Sequence, residues 1–292
     1  MKVIQYYFLG CILTLLATKS FAQQVPAQNQ FYVNPYIYNP AYVGGGNETI
    51  LHTAFKSQWL GVEGAPFIGS ATYQQSVNEK LKLGGFINAI SEGPYNSYNL
   101  FATVGYSLKI SEQYDQSIHF GLSVGLLFST VNLNKFDDPS DPAVANTTST
   151  FLPDGAVGIS YSIANFKVGF ALPRFAESSI FGGEGGDDIA PLNQMIYSLS
   201  YNYVLAKSNL ALEPYLLYHV NNNLGNQLEG NVRIIYNNNI WLSAGYRQQY
   251  GTNLGLGAQL MDRYGLGYFY TLTAGRSRLP ADSHELILSI VF

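Results

Sequence analysis

Few residues of this sequence are arranged for catalysis. Its four histidines are far apart in the chain: His52, His119, His219 and His284. None belongs to a nucleophile elbow, a zinc-protease motif, a phosphate-binding loop or a paired-cysteine motif. A Ser–His–Asp arrangement is a rival possibility, but no local pattern marks one. We therefore expect a non-enzymatic protein with no catalytic residues and no cofactor.

Clustered acids suggest a different chemistry, the binding of a cation. One cluster comprises Asp137, Asp138 and Asp141, and another comprises Glu184, Asp187 and Asp188. Calcium prefers such oxygen ligands, but neither cluster has a defined loop spacing. Solvated loop acids are the favoured interpretation, and we predict no metal site.

Four charged residues of the C-terminal third could act together: Glu213, Glu229, Arg233 and Arg247. If they faced an aqueous interior, they could line a permeation path. The favoured alternative is that they pair with each other, because charges removed from bulk water need partners. Which alternative applies depends on the elements that carry them.

Those elements alternate apolar and polar residues with a period of two. Phe120, Leu122 and Val124, for example, alternate with Gly121 and Ser123. Such alternation predicts strands with one apolar and one polar face. Fourteen such segments are predicted: 50–59, 66–77, 81–90, 97–110, 117–130, 155–163, 165–172, 194–206, 210–220, 226–236, 239–248, 253–262, 264–274 and 283–292.

The polar face of these strands resembles a barrel interior. It is dominated by Gly, Ser, Thr and Asn, and every central charge falls on it: Lys56, Lys82, Lys109, Lys167, Glu213, Glu229, Arg233, Arg247 and Glu285. Apolar-out, polar-in alternation is typical of outer-membrane barrels. The fold class predicted is all-β, a closed antiparallel transmembrane β-barrel of about fourteen strands.

Composition and charge agree with an outer-membrane location. Charged residues make up 12% of the 292 residues, whereas soluble domains carry about 25%. The net charge is −4 and no basic block occurs, which argues against a nucleic-acid partner. The single cysteine, Cys11, lies in the leader described next, so we expect no disulfide in the mature chain.

The first 22 residues resemble a secretory signal peptide. Lys2 supplies the positive start, an apolar stretch covers residues 6–17, and Ser20-Phe21-Ala22 predicts cleavage after Ala22. A lipoprotein signal at Cys11 is a less favoured alternative. Beyond this leader no run approaches the ~18 apolar residues of a membrane helix. A membrane location therefore requires a closed barrel, which satisfies every backbone group in lipid.

Connection lengths predict the orientation of the barrel. The connections after even-numbered strands are short, whereas the two longest, residues 131–154 and 173–193, follow strands five and seven. Outer-membrane barrels have short periplasmic turns and longer outer loops, so both termini are predicted to be periplasmic. Pro214 falls within a strand and cannot donate to a ladder, so we expect a bulge or a break there. The final strand ends at Phe292, like the strand read by the barrel-assembly machinery.

The chain divides into a signal peptide (1–22), an N-terminal segment (23–49) and the barrel (50–292). Fourteen strands lie between eight, which side chains fill, and sixteen, which leave a channel. The aromatic residues of the segment 23–49 favour order. We predict that it packs into or against the periplasmic mouth as a plug, with a floppy leader as the alternative.

Motifs along the chain resemble the PorP/SprF family of type IX secretion membrane proteins. The most specific blocks are Asn34-Pro35 with Asn39-Pro40-Ala41-Tyr42-Val43-Gly44, then Phe55-Lys56-Ser57-Gln58-Trp59-Leu60-Gly61 with Glu63-Gly64-Ala65-Pro66. Weaker blocks are Leu152-Pro153-Asp154-Gly155-Ala156 and Ser283-His284-Glu285. Lys56 stands where the family often has Arg, so the charge is kept and the bidentate geometry is lost.

This resemblance implies a role in type IX export in the outer membrane of a Bacteroidota cell. The implied partners are outer-membrane lipids, the C-terminal domain of a large adhesin, including those used in gliding, and the periplasmic ring of the machinery. The long outer loops would be the natural contact surface. The alternative is an outer-membrane channel or transporter for a small hydrophobic or polar ligand, and a lipolytic barrel is a weaker rival.

Overall fold

The computed structural model describes residues 28–45, 48–136, 149–177, 188–189, 193–205, 208–222, 225–248, 250–273 and 282–292. The strand segments within them are β1 (Ile50–Ser57), β2 (Phe67–Ser76), β3 (Leu81–Glu92), β4 (Tyr95–Ser111), β5 (Gln116–Val131), β6 (Thr150–Ile163), β7 (Phe166–Leu172), β8 (Ala176–Glu177), β9 (Asp188–Ile189), β10 (Gln194–Tyr201), β11 (Tyr203–Leu205), β12 (Leu210–Asn221), β13 (Gln227–Tyr236), β14 (Ile240–Arg247), β15 (Gly251–Leu260), β16 (Tyr264–Thr273) and β17 (Ser283–Val291). Short 3-10 helices cover Asn29–Tyr32, Pro35–Ile37, Pro40–Tyr42 and Leu133–Lys135. No helix in the described residues has the length and apolar character needed to cross a membrane.

The strands close into one antiparallel barrel. The main sheet has fifteen segments, of which β11 continues β10 and the other fourteen form the ring. Neighbours along the ring follow chain order, β10 pairs with both β7 and β12, and β17 pairs with β1. The short strands β8 and β9 form a separate ribbon. Each predicted segment corresponds to one ring strand, so the predicted closed barrel is confirmed.

The two faces of the wall differ as the period of two predicts. On β5, Leu122 and Val124 are 53% and 63% exposed, whereas the intervening Ser123 is 4% exposed. All nine predicted inward charges lie on the inward parity, the parity of Ser123 and of buried residues such as Lys56 and Glu229. An apolar exterior of this kind matches the hydrocarbon core of a bilayer.

The two ends of the barrel have different connections, which we name the turn end and the loop end. Turn-end connections include residues 164–165, 237–239 and 261–263, and loop-end connections include residues 58–66 and 173–193. By the rule that outer loops are the longer ones, the loop end faces outward. Within the predicted outer connection 131–154, β6 begins already at Thr150 because residues 150–154 pair with β5. Pro153 is accommodated there because β6 pairs with β7 only from Val157 onward.

Two turn-end hairpins use left-handed backbone conformations. Asn237 and Asn238 have φ of 51° and 58°, and Met261 and Asp262 have φ of 53° and 52°. Two consecutive positive φ values define the hairpin turn that matches the twist of antiparallel strands. Asn and Asp tolerate this region better than Met does. Met261 therefore carries backbone strain, and its side chain is 89% exposed, so no contact offsets that strain.

Replacing Met261 with Asn is expected to raise the free energy of unfolding by roughly 1 kcal/mol, because the left-handed region disfavours an ordinary side chain by about that much. Urea unfolding of the purified barrel in detergent would measure the change. The reciprocal substitution Asn237→Met, at the equivalent position of the other hairpin, should lower the free energy by a similar amount. Equal stability of all three proteins would contradict the strain argument.

The effect of Pro214 differs from the prediction. β12 runs through Pro214 and keeps its pairing with β13, where Pro214 is opposite Val232. The break lies instead in the neighbouring strand, between β10 and β11 at Asn202. The pairing with β12 resumes in the same register beyond it, so no bulge is inserted. Proline lacks the N–H that the neighbouring strand would accept, which explains why the interruption appears there.

Candidate functional site in the barrel lumen

Residues 28–45 lie inside the ring of strands, and we call them the inner segment. Phe31, Asn29 and Asn34 are at most 2% exposed. The two Asn-Pro pairs set its local shape, because Pro35 and Pro40 each occupy the first turn of a short 3-10 helix. The Asn39 side chain accepts a hydrogen bond from the Ala41 N–H at 2.9 Å. That the segment closes the lumen to solutes stays a prediction.

The inner segment runs between the two ends of the barrel. Gln28 lies toward the loop end, where its carbonyl accepts a hydrogen bond from Arg247 at the end of β14. Gly44 lies near the turn end, where its N–H donates to Gln74 of β2. Phe292 lies at the turn end beside Thr49. Gln28, the first described residue, therefore lies toward the loop end and not at the turn end, which is the predicted periplasmic end. The reason is that residues 28–45 run through the lumen before β1 begins.

Inward-facing glycines on five adjacent strands make room for residues Asn39–Gly44. They are Gly84 on β3, Gly105 on β4, Gly121 on β5, Gly158 on β6 and Gly169 on β7. A Cβ on Gly121 would lie 2.1 Å from the carbonyl carbon of Pro40, and one on Gly158 would lie 1.9 Å from Asn39 Oδ1. No side chain fits at either position while the inner segment is in place. These glycines were counted as part of the polar face; their recurrence on five neighbouring strands was a signal that the sequence analysis missed.

The polar face of the wall forms hydrogen bonds with the inner segment. The pairs are Asn29–Thr271 at 2.8 Å, Asn34–Thr72 at 2.8 Å, Tyr36–Thr103 at 2.6 Å, Tyr32–Ser243 at 2.7 Å and Tyr42–Ser198 at 3.0 Å. The wall residues of these pairs come from five different strands of the ring, and Gln74 adds a second contact from one of them, β2. Several of the inward Ser and Thr side chains therefore form hydrogen bonds with the inner segment, because buried polar groups need partners.

An apolar cluster completes the packing. Phe31 and Phe269 are fully buried, and Ile196 and Leu217 lie in the same cluster with Tyr32. The rings of Tyr32 and Phe269 meet edge to face with centroids 5.7 Å apart, a favoured aromatic geometry. The buried core of this protein thus includes the contact between the inner segment and the barrel wall.

A buried charge lies at the loop-end half of this contact. Glu285 accepts hydrogen bonds from the backbone N–H groups of Asn29 at 2.6 Å and Gln30 at 3.2 Å. Lys56 lies opposite Glu285 in the pairing of β1 with β17, and its Nζ is 3.9 Å from the carboxylate. The side chains of Lys56 and Glu285 are 3% and 0% exposed. The first-strand and final-strand motif blocks therefore meet at the inner segment.

The four predicted lumen charges form two separate ion pairs. Arg247 pairs with Glu229, and Arg233 pairs with Glu213. The first pair contacts the inner segment through the Gln28 carbonyl at 3.1 Å. Burial raises the pKa of the Tyr250 phenol, which lies in the connection before β15 with its ring centroid 5.4 Å from the Arg247 guanidinium. The second pair lies nearer the turn end.

The motif residues of the first loop lie at the loop end, away from the lumen contact. Trp59, Gly61 and Gly64 have φ of 51°, 89° and 73°, which explains the glycines. The Gly64 carbonyl accepts a hydrogen bond from the Gly93 N–H at 2.8 Å, and the Gln58 N–H donates to the Pro66 carbonyl at 2.9 Å. Ala65 closes the same loop through a hydrogen bond to Val62. Its tip exposes two apolar side chains, Leu60 at 62% and Val62 at 38%.

The mid-chain motif shapes the lumen wall next to β7. Asp154 accepts hydrogen bonds from the Phe175 N–H at 2.9 Å and from Arg174 Nε at 3.3 Å. Its side chain is fully buried. This carboxylate therefore turns residues 173–175 inward after β7 ends.

Some predictions fall outside the described residues. They concern the signal peptide, Cys11, the start of the plug segment at residues 23–27, Asp137, Asp138, Asp141, Glu184 and Asp187. The backbone of Asp188 is described in β9, but its side chain is not.

Comparison with known proteins points to one family. The sequence matches the family described as type IX secretion system membrane protein PorP/SprF over residues 20–290. No curated protein matches the chain. Similar solved structures include outer membrane protein Omp33 of Acinetobacter baumannii (9% identity, TM-score 0.46, 85% of this chain and 100% of that one). Another is the toluene transporter TodX of Pseudomonas putida (12% identity, TM-score 0.46, 94% and 95%).

Proposed function

The chain belongs to the PorP/SprF family of type IX secretion system membrane proteins, and on that premise we propose that it binds the C-terminal domain of a large secreted adhesin at its loop end. The family assignment makes it an outer-membrane component of the export machinery. Its role in this proposal is to receive or anchor cargo without catalysing a reaction. The periplasmic ring of the machinery would contact the turn end.

The observation that carries the proposal is the family match over nearly the whole chain, together with the position of its first-loop motif. Leu60 and Val62 are exposed at the loop end, outside the strands that face lipid. The backbone hydrogen bonds that the Gly64 carbonyl accepts and the Gln58 N–H donates hold this loop in place, so the two apolar side chains project from a fixed backbone. Exposed apolar residues with no membrane to face are typical of protein contact surfaces.

Replacing Leu60 and Val62 with Asp is expected to lower capture of the adhesin domain by roughly tenfold or more, because desolvated apolar anchors dominate such interfaces. The measurement is capture of the purified C-terminal domain of an adhesin exported by the same cells on immobilised full-length barrel. Met261→Asp, at the opposite end of the barrel, is the matched control and should leave capture unchanged. Similar capture by all three proteins would contradict loop-end docking.

Deletion of the gene tests the role in the cell. The adhesin should remain undelivered to the surface while general outer-membrane permeability stays unchanged. The alternative, a channel for a small ligand, predicts the reverse pattern, in which uptake falls and the adhesin is delivered. The inner segment occupies the lumen through hydrogen bonds on many strands, which supports docking over passive permeation.

A further inference from the structure

A cavity of about 160 Å³ lies on the loop-end side of the inner segment. Its base is formed by Tyr36, Ile37 and Tyr38 of the inner segment, and its walls include Phe101 and Ile196. Arg174 and Pro173, which follow β7, lie at its rim. The adhesin-docking proposal does not use this space, although the motif residues Pro40 and Ala156 are part of its lining.

Two residues that line the cavity each have a buried polar atom without a hydrogen-bond partner in the described part of the chain. These atoms are Oδ1 of Asn99 on β4 and Nε2 of His219 on β12. Asn99 is only 4% exposed. An unpaired buried acceptor costs roughly 1–3 kcal/mol, and such groups call for an explanation. Two of them in one cavity point to an occupant that supplies hydrogen bonds.

The charge of the lining restricts this occupant. Arg174 is the charged side chain among the described lining residues, and its Nε lies 3.3 Å from the buried carboxylate of Asp154. A charged molecule that moved from bulk water into the cavity would find no free counter-charge in the wall, and its desolvation would cost free energy. The remaining lining is apolar, aromatic or neutral and polar, so an uncharged molecule fits best.

We propose that this cavity binds an uncharged molecule about one ring in size that bears a hydrogen-bond donor. The volume is close to that of an engineered cavity of roughly 150 Å³ that takes up benzene. Unlike that cavity, this one offers a polar acceptor at Asn99, so a ring that carries a hydroxyl group matches it better than a bare ring. All the lining residues belong to this one chain, so ligand binding to the cavity can be measured without an adhesin.

Fluorine NMR titration of the full-length barrel in detergent with 4-fluorophenol tests the proposal. Saturable binding is expected, and fluorobenzene, which lacks the donor, should bind roughly tenfold more weakly. Asn99→Leu removes the acceptor and should weaken fluorophenol binding by a similar factor. Ala156→Phe places a large side chain in the cavity wall and should abolish binding. The matched control Asn226→Leu changes an exposed loop residue outside the cavity and should bind like the unaltered protein.

Folding of each variant is checked by its heat-dependent migration in gels, and Ala156→Leu replaces Ala156→Phe if the larger side chain prevents folding. Absence of saturable fluorophenol binding to the unaltered barrel would overturn the proposal. Equal binding by Asn99→Leu and by the folded Ala156 variant would also overturn it. Neither result bears on adhesin capture, so this proposal and the docking proposal fail separately.

Discussion

Replacing Gly121 with Leu is expected to displace the inner segment from the lumen. A Cβ at this position would lie 2.1 Å from the backbone of Pro40, and a backbone atom cannot rotate away as a flexible side chain can. The contact is also rigid on the other side, since Pro40 fixes its own φ. Gly85 on the same barrel faces outward, with its nearest neighbour 3.9 Å from a built Cβ, so Gly85→Leu is the matched control.

Cysteine labelling measures this displacement. Ala41 is 5% exposed, and the single native cysteine lies in the leader that we expect to be removed. A cysteine at position 41 should therefore resist a polar maleimide in the parent and in Gly85→Leu. In Gly121→Leu it should react at least about tenfold faster, since labelling follows the exposed population. A folded Gly121→Leu barrel with a protected cysteine would show that the glycines do not hold the segment.

The same proteins test whether the inner segment closes the lumen. In planar bilayers the parent and Gly85→Leu should conduct poorly, and Gly121→Leu should conduct more. A barrel of fourteen strands has room for a water path once its contents leave. If displaced barrels conduct no better than the parent, the plug prediction is wrong.

Replacing Glu285 with Gln is expected to destabilise the barrel by roughly 3–5 kcal/mol, because it removes the carboxylate from a buried ion pair with Lys56. The acceptor of the Asn29 and Gln30 N–H groups is weakened as well. Urea unfolding in detergent measures the change. Glu112→Gln is the control, since its pair with Lys109 is exposed, with side chains 88% and 56% accessible. That change should stay within about 0.5 kcal/mol.

A second variant separates charge from shape. Lys56→Met combined with Glu285→Gln removes both charges and keeps an oxygen acceptor for the two N–H groups. It should recover most of the stability lost in Glu285→Gln, since neutral replacement of a buried pair is often tolerated. If the double variant is as unstable as the single one, the loss does not come from breaking the ion pair between Lys56 and Glu285.

The sequence predicted the wall of this barrel better than its contents. Alternation such as Leu122, Ser123, Val124 specifies both the strand and its faces, because successive side chains of a regular strand point to opposite faces. The inward residues Gly121 and Thr72 did not predict whether the lumen is filled with water or with protein. A small or hydroxyl side chain suits a water-filled lumen as well as a packed one, and only the position of Pro40 and Asn34 decides between them.

The contacts between side chains far apart in the chain could also not be predicted from the sequence. Closure of the ring predicts that β1 and β17 are neighbours, but not that Lys56 is opposite Glu285. The two ion pairs follow from cross-strand register, which places Arg233 opposite Glu213 and Arg247 opposite Glu229. The prediction of a break at Pro214 was wrong in its position, because the missing N–H interrupts the neighbouring strand at Asn202 and not β12, which carries Pro214.

The position of Glu285 has a consequence for biogenesis. Residues 29 and 30 are synthesised long before β17, yet the carboxylate that accepts their N–H groups belongs to this last strand. That carboxylate reaches its place only when β17 has paired with β1. The contact between Glu285 and residues 29 and 30 therefore links an early part of the chain to the strand that closes the barrel, so we expect this contact to be complete only after closure.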